Sequence, residues 1–85
     1  MRSKPYPLTV YGRVYCSLCQ HMLQHLQAAV EQGLVSVRFV DVDEDEALIA
    51  RYDELVPVLV DEQGEELCHW HFDDAAFSAY LARMG

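Results

Sequence analysis

Long apolar runs are missing from this 85-residue chain. No stretch approaches the roughly 20 residues needed to cross a bilayer, and the start of the chain holds no uninterrupted apolar segment of the kind a signal peptide needs. Membrane insertion and export therefore lack support. Basic residues are also scarce, 6 Lys and Arg against 14 Asp and Glu, for a net charge of −8. The acids gather in "DVDEDE" (Asp41 to Glu46) and "DEQGEE" (Asp61 to Glu66), which read as a solvated helix start and a turn. Such a surface repels a phosphate backbone, which disfavours nucleic acid as a partner. With only 4 Gly and 3 Pro beside 52% apolar and 24% charged residues, the composition excludes fibrous and disordered classes. A chain this short buries about 60 to 65% of the surface its unfolded form exposes, so it makes one domain, residues 1–85, with a small core. Three cysteines are an odd count and too few for a disulfide-stapled secreted scaffold. In a reducing cytosol a close pair is more often catalytic or metal-binding than structural, and a cytoplasmic location follows.

What is present is regular hydrophobic patterning. Leu8 to Tyr11 is short, apolar and rich in β-formers, and Gly12 ends it. From Ser17 to about Gln32, Leu18, Met22, Leu26, Ala29 and Val30 recur at helical spacing. Ser17 serves there as N-cap or first-turn residue, and Gly33 as the stop. Val35, Val37 and Phe39 alternate with Ser36 and Arg38, the period of a strand with unlike faces. Glu44 to Glu46 suit a helix N-terminus, and Leu48, Ile49, Tyr52 and Leu55 give the next helix its apolar stripe. That helix must end before Pro57, because the residue preceding a proline avoids the α region. "PVLV" and "EELCHW" flank the Gly-containing turn "DEQG" as a hairpin. "FDDAAFSAYLARM" closes the chain as a helix capped by Asp73 or Asp74, with Phe77, Tyr80, Leu81 and Met84 inward. The order β-α-β-α-β-β-α predicts an α/β domain with a mixed sheet and helices on its faces.

Chemistry concentrates in "RVYCSLCQH", Arg13 to His21. On a helical wheel of about 100° per residue with Cys16 at zero, Leu18, Cys19, Met22, Leu23, Leu26, Ala29 and Val30 fall between about 200° and 340°. Cys19 lies inside the apolar stripe and Cys16 at its edge. The free N–H groups and positive dipole end of the helix start lie beside the Cys16 sulfur and favour its thiolate, with Arg13 as a further cation. An exposed thiolate can attack a disulfide, and a shielded thiol one turn deeper can attack the mixed disulfide that results. One helical turn separates the Cα atoms by roughly 5 to 6 Å, within disulfide range. The same spacing also serves zinc sites, which usually need a second comparable pair, and inert buried thiols.

Nearly the whole length, from "LTVYGRVYCSLC" through "FVDVDED" and "LVPVLVD" to the last helix, resembles the glutaredoxin-like branch of the thioredoxin superfamily, in particular a group of short bacterial proteins. "CSLC" and "VPV" are the most specific motifs. The resemblance implies a thioredoxin fold, a four-stranded mixed sheet in the order 2-1-3-4 flanked by three helices. It further implies Cys16 as nucleophile, Cys19 as resolving thiol, and a cis Pro57 facing the cysteines. Val56 would then offer its backbone to an extended, cysteine-containing substrate. Two features depart from the glutathione-using members, which carry a Pro-aromatic pair between the cysteines and Gly-Gly before the last helix. Here Ser17-Leu18 form the spacer, and Trp70-His71 stand where the glycines would be, ahead of Asp73 and Asp74. Two rings leave less room for a tripeptide backbone, which argues against glutathione as substrate, although Arg13 matches that family's basic residue.

The expectation is a monomeric thiol-disulfide oxidoreductase of cell redox homeostasis, with no bound cofactor and glutathione at most a co-substrate. Cys16 and Cys19 are its catalytic residues, and Arg13, Tyr15, Val56, Pro57, Trp70, His71 and Asp73 line its substrate site. Protein or small-molecule disulfides are its partners, and a reductase or glutathione supplies electrons. Cys68 reads as a small core residue, and His21 and His25 as a solvated helix face. Two rivals remain: a metal or iron–sulfur module joining Cys16 and Cys19 to a ligand from residues 68–71, and a non-catalytic binding module of the same fold.

Overall fold

Alternation along the first strand decides the layering. In β1 (Tyr6–Gly12), Leu8, Val10 and Gly12 are buried, while the residues between them turn to the opposite side of the sheet. β1 pairs in parallel with β2 (Val35–Asp41), placing Leu8 opposite Val37. It pairs antiparallel with β3 (Val58–Val60), placing Val10 opposite Leu59. β4 (Glu66–His69) completes the sheet against β3, with Cys68 opposite Leu59 and a register irregularity at Leu59 and Val60. The result is a mixed four-stranded sheet in the order β2-β1-β3-β4. With α1 (Ser17–Glu31), α2 (Glu46–Tyr52) and α3 (Asp74–Met84) around it, this is the thioredoxin-type arrangement the resemblance implied. The computed structural model describes residues 4–85, so the first three residues of the 1–85 domain span lie outside the described residues.

Each sheet face has its own apolar cluster. On one, Leu8, Val10, Val35, Leu59 and Cys68 pack with Met22, Leu26 and Ala29 of α1 and with Tyr80 of α3. On the other, Val58 and Val60 pack with Val42 and with Tyr52 of α2, and the Tyr52 ring stacks on Tyr11 at 4.6 Å. Tyr6 ties the start of β1 to the end of α3 by donating its hydroxyl hydrogen to the Met84 carbonyl.

Two local readings needed correction. Val30, placed by the wheel in the apolar arc, is 41% exposed, because it sits at the edge of that arc in the final turn of α1. The second helix ends at Tyr52 rather than reaching Leu55, and a 3-10 turn (Val42–Glu44) stands where its acidic start was read. Two aspartates make that break: Asp41 accepts from the Asp43 N–H and caps the turn, and Asp45 accepts from the Ala47 N–H and caps α2. Of the two places the sequence offered Ser17, the structure takes the first helical turn, and the cap of α1 is Cys16 itself. The stop at Gly33 does follow the sequence reading: its φ of +76° is the left-handed turn that glycine adopts without penalty.

Candidate active site

Cys16 has extended backbone angles and leads directly into α1, so its side chain reaches over the first turn. Its Sγ accepts the Cys19 N–H at 3.2 Å, and its carbonyl accepts the Gln20 N–H. The sulfur therefore takes the place a serine or aspartate oxygen usually fills at a helix start. Cys16 is partly exposed, whereas Cys19 is fully buried, and both thiols are free. Burial first, then the hydrogen bond with the Cys16 thiol, push the Cys19 thiol up to about 11. The Arg13 backbone N–H, 3.5 Å from the Cys19 sulfur, works in the opposite direction.

Gly12 makes room for that buried sulfur. A Cβ at this position would stand 2.6 Å from the Cys19 Sγ and 3.2 Å from the Phe39 ring. The glycine looked like a strand terminator in the sequence; its role is close approach, and nothing in one-dimensional spacing distinguishes the two.

Arg13, read as a further cation for Cys16, shares its charge with two acidic partners. Its guanidinium is bound by two carboxylates, Asp43 with Nε at 3.1 Å and Asp53 with Nη2 at 2.6 Å. These two partners raise the guanidinium's pKa. Tyr15, 77% exposed, donates its hydroxyl to Asp43 at 3.3 Å. Sequence reasoning missed Asp43 and Asp53: Asp43 lies in an acidic run read as solvated, and Asp53 lies on the polar side of the stretch read as the second helix.

The Val56–Pro57 peptide bond is cis, and Pro57 is buried. The Pro57 carbonyl accepts the Trp70 N–H at 2.9 Å, and the Trp70 indole N–H donates to the Glu54 carbonyl at 2.8 Å. Trp70 thus straps the end of β4 to the loop before β3. Its φ is +64°, a conformation glycine takes readily and a tryptophan rarely does. Asp53 holds Arg13 and the adjacent Glu54 holds Trp70, so two consecutive residues of the loop before β3 tie it to the cysteine loop and to the end of β4. His71 is exposed beside this strap, and Asp73 uses its carboxylate to cap α3 through the Ala76 N–H.

Cys68 belongs to the core cluster, and burial pushes its thiol up. His21 and His25 are exposed on α1, and the His25 ring stacks on Phe72 at 5.1 Å. Among the described residues, no three His, Cys, Asp or Glu side chains converge to hold a metal ion. Nor is any described helix long and apolar enough to cross a membrane.

Comparison with known proteins agrees with this fold. A family model described as a glutaredoxin-like domain (DUF836) matches residues 7–82. The solution structure of a protein from Nitrosomonas europaea is 33% identical with a TM-score of 0.83, over 95% of this chain and 96% of that one. The crystal structure of a protein from X. campestris is 37% identical with a TM-score of 0.73, over 89% of this chain and 96% of that one. The holo form of glutaredoxin C1 from Populus tremula x tremuloides shares the fold at 19% identity and a TM-score of 0.56, over 92% of this chain and 76% of that one. No curated protein matches the chain.

Proposed function

From the membership of this chain in the glutaredoxin-like domain family, we propose that it is a dithiol-disulfide oxidoreductase that cycles between the Cys16/Cys19 dithiol and disulfide. The observation that supports this most is the inequality of the two thiols: Cys16 at the surface as a helix cap, Cys19 buried and held protonated at about 11. The Cys16 thiolate attacks one sulfur of a substrate disulfide, forming a mixed disulfide and expelling the other sulfur as a thiolate. Cys19 then attacks the Cys16 sulfur, closing the Cys16–Cys19 disulfide and releasing the second substrate thiol. The proton lost by Cys19 is returned to the departing sulfur. Two electrons leave the protein and reduce the substrate, and an external thiol or a reductase restores the dithiol.

The local interactions order these steps. While Cys16 is free, its hydrogen bond and its charge both hold the Cys19 proton in place. Once Cys16 is tied up in a mixed disulfide, those two influences are gone; burial, the largest cause of the raised value, remains, and the Arg13 N–H still favours the Cys19 thiolate. Cys19 therefore loses its proton more readily in the intermediate it must resolve than in the free dithiol. Val56, next to Pro57, is the backbone against which an extended substrate lies. We place the protein in the cytoplasm as a monomer serving redox homeostasis.

The test is reduction of a peptide disulfide by the wild type, Cys16→Ser and Cys19→Ser. Wild type turns over, Cys16→Ser loses at least about a thousandfold of the rate, and Cys19→Ser accumulates a mixed disulfide visible as added mass. Full activity of Cys16→Ser would sink the proposal.

A further inference from the structure

We infer that the site selects disulfides on cationic, extended peptide segments and discriminates against anionic thiol compounds such as glutathione, an inference that rests on the oxidoreductase reading above.

Charge around the nucleophile carries it. Arg13 is the cation of the cysteine loop, and two carboxylates, Asp43 and Asp53, already hold it. One positive charge against two negative ones leaves that cluster anionic. Glu54 follows Asp53 with its side chain exposed, and Asp73 and Asp74 are exposed at the start of α3 beyond the Trp70 strap. Of the other described arginines, Arg51 shares a recess with Asp53 and Glu54, so that two cations, Arg13 and Arg51, stand against three acids, Asp43, Asp53 and Glu54, and the balance stays negative. Arg83 lies over the ring of Tyr80, and Arg38 lines a separate recess with Pro7, Thr9 and Asp61. An anionic tripeptide thus meets net negative charge on approach to Cys16, and a cationic peptide meets attraction.

The apolar surface fits the same occupant. Val14 and Tyr15, immediately before Cys16, are 64% and 77% exposed, and Trp70 is 49% exposed. Tyr15 keeps its hydroxyl on Asp43, so an aromatic ring and a carboxylate are presented side by side. A guanidinium stacks on such a ring while it pairs with such a carboxylate. A peptide with arginine near its cysteine therefore finds two complementary groups beside the reacting sulfur. The chemistry remains the two-electron exchange above, with an external thiol as reductant.

The experiment uses prereduced wild-type protein and three substrates: a peptide disulfide with flanking arginines, the same peptide with flanking glutamates, and oxidised glutathione. Electrostatic steering predicts at least about tenfold faster Cys16-dependent reduction of the arginine peptide at low ionic strength. The advantage collapses in about 1 M salt, where the Debye length is ~3 Å. Glu54→Lys lowers the arginine-to-glutamate rate ratio several-fold. Equal rates for the three substrates, or a ratio unchanged by salt, would overturn the inference and leave the oxidoreductase reading standing. Absence of Cys16-dependent reduction with every substrate would overturn both.

Discussion

Burial sets the behaviour of each cysteine, and pH and alkylation read it out. Brief treatment of the folded protein with iodoacetamide at about pH 8 should modify Cys16 and spare Cys19 and Cys68, which react only after denaturant is added. Peptide mapping by mass spectrometry checks this, and equal labelling of the three would contradict the burial argument. The raised Cys19 thiol also makes stability depend on pH. Below about 9, the ordinary value of the thiol, Cys19 is protonated in folded and unfolded chains alike. Between 9 and about 11 the unfolded chain has lost that proton and the folded one has not, so stability falls as pH rises through this window. The buried Cys68 adds a change of the same sign. Melting curves across that range should show the decline, shallower in Cys19→Ala. Trp70 supplies a backbone test: Trp70→Gly and Trp70→Ala lose the same indole, but only alanine keeps a Cβ at φ +64°. The alanine variant should be less stable by about 1 kcal/mol in urea titrations.

At the scale of elements, β1 and α1 meet where Gly12 faces Cys19, and that contact has no slack. Gly12→Ala would place its Cβ 2.6 Å from the Cys19 sulfur, which should destabilise the fold by about 1–3 kcal/mol and move the resolving thiol. Denaturant titration and the rate of mixed-disulfide resolution measure the two effects; an unchanged variant would show that α1 shifts freely against the sheet. α1, β2 and α3 were legible because their apolar residues recur over several turns or alternations, as in Met22, Leu26 and Ala29 or in Val35 and Val37. α2 was not legible at its ends. The apolar residues Leu48 to Leu55 extend past Tyr52, but the caps of Asp41 and Asp45 and the loop held through Asp53 and Glu54 set the boundaries. Those are contacts with other parts of the chain, invisible to periodicity.

Across the whole molecule, the two-faced sheet brings together segments far apart in sequence. The cysteine loop, the proline loop and the end of β4 converge through Arg13, Asp53, Glu54 and Trp70. Cys16 and Cys19 could be read as unequal from a helical wheel alone, since both belong to one helix start. The partners of Arg13 could not, because Asp43 lies 30 residues away and Asp53 lies 40. Separate helices and loops supply the site, so the relation between its charges exists only after folding. The central claim is that Cys16 and Cys19 form a reversible two-electron couple, and equilibrium redox titration with trapping of free thiols and mass spectrometry tests it most directly. The account predicts a single transition between dithiol and Cys16–Cys19 disulfide, with a midpoint between about −270 and −120 mV, the span of known thiol oxidoreductases, and its loss in Cys19→Ser. A pair that stays reduced across that whole range would contradict it.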